Sequence, residues 1–166
     1  MKLAIVPGSF DPMTLGHLDL IREAAIRYER VVVAVMQNAE KQYLFTKEER
    51  LEIAKLTVSA LSNVEVIADD GMLIDLYDRL GASAVCKGWR NEKDLAYEQS
   101  MADWNAAHNP RFYTELIKSE GDYEMLSSTE VRERLQKEEE ICTLVHPSAL
   151  PLILTKMKHF RNFVIF

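Results

Sequence analysis

Cysteine is scarce in this chain. Cys86 and Cys142 are the only two among 166 residues, with no CxxC pair and no histidine at ligand spacing beside either. That argues against a disulfide framework or a zinc site and fits a chain kept reduced in the cytoplasm. Long apolar runs are missing as well. No stretch approaches the roughly 20 apolar residues needed to span a bilayer. The opening MKLAIVPGSF breaks at Pro7 and Gly8, too early for a secretory leader. Positive charge is in deficit too, with 20 Lys and Arg against 26 Asp and Glu and a net charge of −6. A surface of that sign repels polyanions, so neither nucleic acid nor an anionic membrane is an expected partner. The balance does not exclude anionic small molecules, and the site is expected to be a positive pocket in a negative protein.

What is present is an ordinary core-forming composition, 48% hydrophobic and 28% charged, enough for one domain over residues 1–166. Short apolar runs alternate with amphipathic stretches. Strands are expected at Leu3–Val6, Val31–Met36, Val64–Ile67, Ser83–Cys86 and Phe112–Ile117. Helices are expected at Leu15–Tyr28, from Thr46 to Ser59, at Met72–Leu80, at Asp94–His108 and from Ser127 to Gln136. Thr46 with Glu49, and Ser127 with Glu130, read as capping boxes. The alternation predicts an α/β fold: a single Rossmann-like, doubly wound domain, its five-stranded parallel sheet covered by helices on both faces. Residues 148–166 form a less defined C-terminal helix or tail, whose HFRNFVIF end is apolar. Asp69-Asp70 reads as a polar loop, and Lys137-Glu138-Glu139-Glu140 as a solvated turn.

Such sheets bind ligands beyond the carboxyl ends of their strands, at the switch point. The first strand–helix loop, PGSFDPMTLGH, has two prolines and two glycines in its eleven residues. Gly16 would let a ligand approach the backbone at the helix start, with His17 beside free N–H groups that attract phosphate and Ser9 adding a hydroxyl. On spacing alone the loop reads equally as a stiff connector, with Thr14 capping the helix. Ser127-Ser128-Thr129 places three hydroxyls at another helix start. Lys87 and Arg90 follow the fourth strand, near the same sheet edge. Glu98 and Asn105 are two turns apart on one helix and share a face with Met101 and Ala102.

Thr14-Leu15-Gly16-His17 resembles the [H/T]xGH signature of the nucleotidylyltransferase superfamily. The whole string PGSFDPMTLGH resembles the phosphopantetheine adenylyltransferase family, whose usual pattern is PGTFDPxTxGH. Leu126-Ser127-Ser128-Thr129-Glu130-Val131-Arg132 resembles the superfamily's ISSTxxR element. KGWR and DLAYE resemble the family's RGLR and DFxYE, so Arg90, Asp94, Tyr97 and Glu98 match while Lys87 and Trp89 depart. Phe45 to Arg50 resembles its FTxEER helix start, and Tyr123 stands where the family usually has Trp.

The resemblance, which runs from Ile5 to about Pro147, implies transfer of AMP from ATP to 4′-phosphopantetheine with Mg²⁺ present and no metal ligated by the protein. It implies His17 as transition-state stabiliser, with Lys41 and Arg90 assisting. ATP would contact Ser9, Phe10, His17, Gly88, Trp89, Arg90, Glu98 and the run Tyr123, Glu124, Met125, Leu126, Ser127, Ser128 and Thr129. The acceptor would contact Ser9, Lys41, Met72, Leu73, Lys87 and Asn105. A homo-oligomer, a hexamer by family analogy, is also implied. The alternatives are another small-molecule nucleotidylyltransferase, acting on nicotinamide mononucleotide or making a CDP-alcohol, and a non-catalytic nucleotide-binding regulator.

Overall fold

The run Arg30–Met36 is almost wholly apolar, the pattern of a strand covered on both faces, and the structure places it beside the centre of the sheet. The structure is a computed structural model. It describes residues 2–119, 121 and 126–164, with 159–164 by backbone alone. Five strands and six helices alternate: β1 (Leu3–Gly8), α1 (Leu15–Arg27), β2 (Arg30–Met36), α2 (Lys47–Val58), β3 (Val64–Asp69), α3 (Leu73–Leu80), β4 (Ala84–Trp89), α4 (Glu92–His108), β5 (Thr114–Lys118), α5 (Ser128–Gln136) and α6 (Leu150–Val164). The sheet is parallel throughout, in the order β3-β2-β1-β4-β5.

Strand periodicity divides the core into two clusters. Ala4, Val6, Val31, Val33 and Val35 face one side, where α1, α2, α5 and α6 supply Leu18, Ile21, Ile53, Val131 and Ile153. Ile5, Val32, Ala34 and Val85 face the other, against Leu76 and Tyr77 of α3 and Phe112. Burying each Val, Leu or Ile contributes about 1.5–3 kcal/mol, so the two clusters stabilise the whole sheet. Helix α4 contributes no buried residue and leaves Tyr97, Met101 and Trp104 exposed. Among the described residues no helix is long and apolar enough to cross a membrane.

Several boundaries differ from expectation. β1 continues through Pro7 and Gly8, paired with β2 as far as Gly8 and Val35. Its pairing with β4 covers only Ala4 with Ala84 and Ile5 with Val85. Beyond Ile5 one edge of β1 is free, so a residue with no N–H removes no rung there. β4 runs on to Trp89 because β5 pairs with it through Lys118, which places Lys87 within the strand rather than after it. Asp69 is not a loop residue but the last rung of β3, opposite Met36. The second capping box is only half formed: Ser127 Oγ accepts from Glu130 N, while the Glu130 carboxylate turns to Arg134. The C-terminal segment packs on the domain through Ile153 and Met157, and Lys156 bonds Glu49 at 2.9 Å.

Candidate active site

Because β1 and β4 part after one short stretch of pairing, their carboxyl ends form two walls of a crevice at the switch point. A chamber of about 330 Å³ fills it, lined by Val6, Pro7 and Gly8 on one wall and by Lys87, Gly88 and Arg90 on the other. The starts of α1 and α5 close it with Gly16, His17, Leu126, Ser127 and Ser128.

The start of α1 satisfies most of its own donors. Thr14 Oγ1 accepts from His17 N at 3.3 Å, Leu18 N donates to Thr14 O, and Leu15 N donates to the carbonyl of Leu144 at 2.9 Å. Among the described residues, that leaves the Gly16 N–H of the first turn without a partner. Thr14 is therefore both the helix cap and part of the site, and the two readings of this loop are compatible. A Cβ built on Gly16 would meet nothing closer than Thr14 Oγ1 at 3.5 Å. The fold itself does not demand glycine there, and only a ligand at the N–H would.

The reciprocal half of this cap fixes the chemistry of His17. Thr14 N donates to His17 Nδ1 at 2.9 Å, so Nδ1 carries no proton and the neutral ring holds its hydrogen on Nε2. Burial of the ring, then the positive charges of Lys87 and Arg90, pull the His17 pKa from its usual 6.5 down to about 4. At neutral pH it is a hydrogen-bond donor without charge. Phe10 sets the plane of the ring, packing edge-on at 5.1 Å. Phe10 itself is buried at φ 50, the left-handed region that side chains avoid. A Cβ on Gly8 would lie 2.8 Å from the Phe10 ring, so this close approach requires glycine.

At the start of α5 the hydroxyls are less available than their sequence suggests. Ser128 Oγ donates to Pro12 O at 2.8 Å, and Ser127 Oγ already accepts from Glu130 N. The backbone N–H groups of Ser128 and Thr129 remain without partners among the described residues. The chamber's cations are paired as well, Lys87 with Glu98 at 3.6 Å and Arg90 Nε with Asp94 at 3.0 Å. Side-chain charge in the chamber therefore balances, and the expected positive pocket rests instead on the two helix starts. A bound anion would exchange partners with these pairs. Among the described residues, both terminal amino groups of the Arg90 fork are without partners and available for such an exchange.

A second chamber of about 110 Å³ adjoins the first and shares Lys87 and Glu98 with it. Leu73, Met101, Ala102, Asn105, Phe112 and Thr114 line it, so the shared face foreseen on α4 is real.

Of the residues singled out in the sequence, Phe10, His17, Lys87, Gly88, Arg90, Glu98, Leu126, Ser127 and Ser128 meet in the first chamber, and Leu73 and Asn105 in the second. Others are not brought in. Ser9 turns its carbonyl to Arg50 and lines neither chamber. Lys41 is exposed in a turn closed by its N–H to Asn38 O. Solvent is the better environment for an ammonium with no anion to meet. Met72 is 57% exposed at the cap of α3. Trp89 sits at the last rung of β4, with the Lys118 ammonium 5.5 Å above its ring. Thr129 is exposed and accepts from Arg132. Tyr123, Glu124 and Met125 lie outside the described residues.

Three residues that hold the site stand within the family motifs but carry no role in the sequence reading. Arg50 is fully buried. Its guanidinium donates to the carbonyls of Ser9 at 2.9 Å, Met36 at 3.2 Å and Phe45 at 3.3 Å, and to Gln37 Oε1 at 2.6 Å, while lying 4.0 Å from the centre of the Tyr43 ring. Asp11, also buried, accepts from the N–H groups of Leu44 at 2.9 Å and Phe45 at 3.0 Å. Arg132 donates to the Asp11 carbonyl at 2.8 Å. The three bind the first loop to the entry of α2 and to α5. Periodicity held a sign of Arg50: with Ile53, Ala54, Thr57 and Val58 it occupies the buried stripe of α2, where a charge is out of place unless it has buried acceptors.

The cytidylyltransferase-like family matches residues 5–134 of this chain. A phosphopantetheine adenylyltransferase of Lachnoclostridium phytofermentans is 37% identical across 98% of this chain and 99% of its own length. Those of Limosilactobacillus reuteri and Symbiobacterium thermophilum are 43% and 44% identical, each over 80% of this chain and over 77% and 82% of their own lengths. A crystal structure from Vibrio parahaemolyticus, provisionally described as a nicotinate-nucleotide adenylyltransferase, superposes with a TM-score of 0.69 over 95% of both chains at 17% identity, a likeness of fold. With the [H/T]xGH and SST helix starts meeting in one chamber, the chain belongs to the cytidylyltransferase-like family, among its phosphopantetheine adenylyltransferases.

Proposed function

We propose that this enzyme transfers the adenylyl group of ATP to 4′-phosphopantetheine, giving dephospho-coenzyme A and pyrophosphate. An oxygen of the acceptor phosphate forms the new bond to the α-phosphorus, and the bond to the bridging oxygen of pyrophosphate breaks. The attacking phosphate is already anionic, so no general base is needed. The protein's part is alignment and stabilisation of developing charge. His17 Nε2–H would meet the α-phosphate. The N–H groups of Gly16 and Ser128, without partners among the described residues, would hold phosphate oxygens, and Arg90 would release Asp94 to take the β- and γ-phosphates. Lys87, at the border of the two chambers, would leave Glu98 for the acceptor's phosphate, with the pantetheine arm in the second chamber. The observation that carries this reading is the locked, neutral His17 in a chamber closed by two helix starts, which shares Lys87 with a second chamber.

Mg²⁺ would arrive on the phosphates of ATP, as part of the substrate. Among the described residues, no group of three or more His, Cys, Asp or Glu is placed to hold a metal. The exposed Tyr97, Met101 and Trp104 face of α4 supports assembly into a homo-oligomer, a hexamer as its family suggests. Its two thiols, buried Cys86 and exposed Cys142, suit the cytoplasm.

The test is pyrophosphate release from ATP or CTP with 4′-phosphopantetheine, nicotinamide mononucleotide and a phosphorylated alcohol as acceptors. Release with ATP and 4′-phosphopantetheine alone is expected, and loss of about a thousandfold in kcat for His17→Ala with ATP binding retained. Release with another pair would transfer the assignment within the superfamily, and none with any would leave a nucleotide-binding regulator.

A further inference from the structure

Thr114 opens β5 opposite Val85, and two residues on, Leu116 pairs with Lys87. Its side chain therefore stands on the Lys87 face of the sheet and lines the second chamber. The hydroxyl is buried and has no hydrogen-bond partner among the described residues. Valine has the same shape, an equal liking for strands and no polar atom to satisfy. Packing alone gives no reason for the oxygen. Five of the other lining residues are apolar, and the polar ones, Lys87, Tyr97, Glu98 and Asn105, do not bond the hydroxyl.

Two positions along a strand separate Thr114 from the level of Lys87, about 7 Å. An acceptor anchored by its phosphate near Lys87 carries its tail inward past Thr114. In the acceptor assigned under the proposed function, on which this step rests, the phosphate is followed by a short branched carbon stretch and then an amide. We propose that the Thr114 hydroxyl is a specificity-determining contact that donates its hydrogen to an amide carbonyl of the acceptor's arm. The free enzyme keeps this donor unpaired, and the arm satisfies it. An acceptor lacking the amide leaves the hydroxyl buried and unmet, which is how a site built around one polar atom rejects an analogue without it.

Steady-state kinetics of Thr114→Val and Thr114→Ser decide the matter. Thr114→Val is expected to fold at least as stably as the parent and to raise KM for 4′-phosphopantetheine about tenfold. KM for ATP and kcat should stay within about twofold, and Thr114→Ser should keep the parental acceptor KM. Neopentyl phosphate, which has the branched carbons and no amide, should inhibit parent and Thr114→Val alike. An unchanged acceptor KM in Thr114→Val overturns the proposal, as does an equal rise in KM for ATP, which would signal general distortion. A parent inactive with 4′-phosphopantetheine instead sinks the functional reading, and this contact with it.

Discussion

Protonation of His17 is the most direct handle on the proposed chemistry. The ring's pKa is pulled from 6.5 to about 4 by burial and by Lys87 and Arg90. At pH 7 an unshifted histidine is about one-quarter charged, whereas His17 would be charged in about one molecule per thousand. The shift corresponds to about 3 kcal/mol between the two protonation states, an upper figure because the ring lines an open chamber. The sign follows from which state holds more protons. Between pH 6.5 and 4 the unfolded chain binds a proton at this position that the folded chain refuses, so stability falls as pH falls through that window and is fully present above it. His17→Gln removes the linkage. The stability difference between parent and variant should therefore shift against the parent by about 2–3 kcal/mol from pH 7 to pH 4.5, by urea unfolding at each pH. A proton NMR titration of the free enzyme should find the His17 midpoint near 4, rising when Lys87→Met removes one of the repelling charges. A midpoint at 6 or above would refute the claim that the site holds a neutral imidazole, and with it the Nε2–H donor.

Arg50→Met strands the carbonyls of Ser9, Met36 and Phe45 and the side chain of Gln37 in the interior, and should cost about 3–4 kcal/mol of unfolding free energy. Arg50→Lys should recover only part of it, because one ammonium cannot reach four acceptors, and a loss below about 1 kcal/mol in Arg50→Met would contradict the role. Gly16→Ala should leave the melting temperature unchanged or raise it, since the new methyl has room and alanine favours helix by up to about 1 kcal/mol. The same methyl shields the free N–H, so kcat/KM should fall about a hundredfold, measured by pyrophosphate release.

The fold was legible because strand and helix periods are carried by many residues at once. The run VVVAV in β2 and the Thr46–Glu49 capping box of α2 each specify their element locally. Boundaries were less so. That β4 extends to Trp89 depends on rungs supplied by β5, and that Pro7 stays in β1 depends on β4 having diverged from it, both tertiary facts. In the site, His17, Arg90 and the serines of α5 were readable from loop chemistry and family likeness. The Asp94 and Glu98 pairing that neutralises the chamber was not, since partners at a sheet edge are set by where strands end. The roles of Asp11 and Arg50 were not readable, because most of their partners are backbone groups; the buried stripe of α2 marks Arg50 as needing acceptors without saying which.

The bond from Leu15 N–H to the Leu144 carbonyl bears on the order in which the molecule is made. β1 and α1 leave the ribosome first, yet β1 lies mid-sheet and needs β4, and the first turn of α1 gains its remaining contact only once Leu144 has emerged. A nascent chain stalled after β5 holds every strand of the sheet, but neither the start of α5 that walls the chamber nor the carbonyl that meets Leu15 N–H. The chamber therefore closes only when the last quarter of the chain has been made, although its first wall is among the earliest residues to emerge.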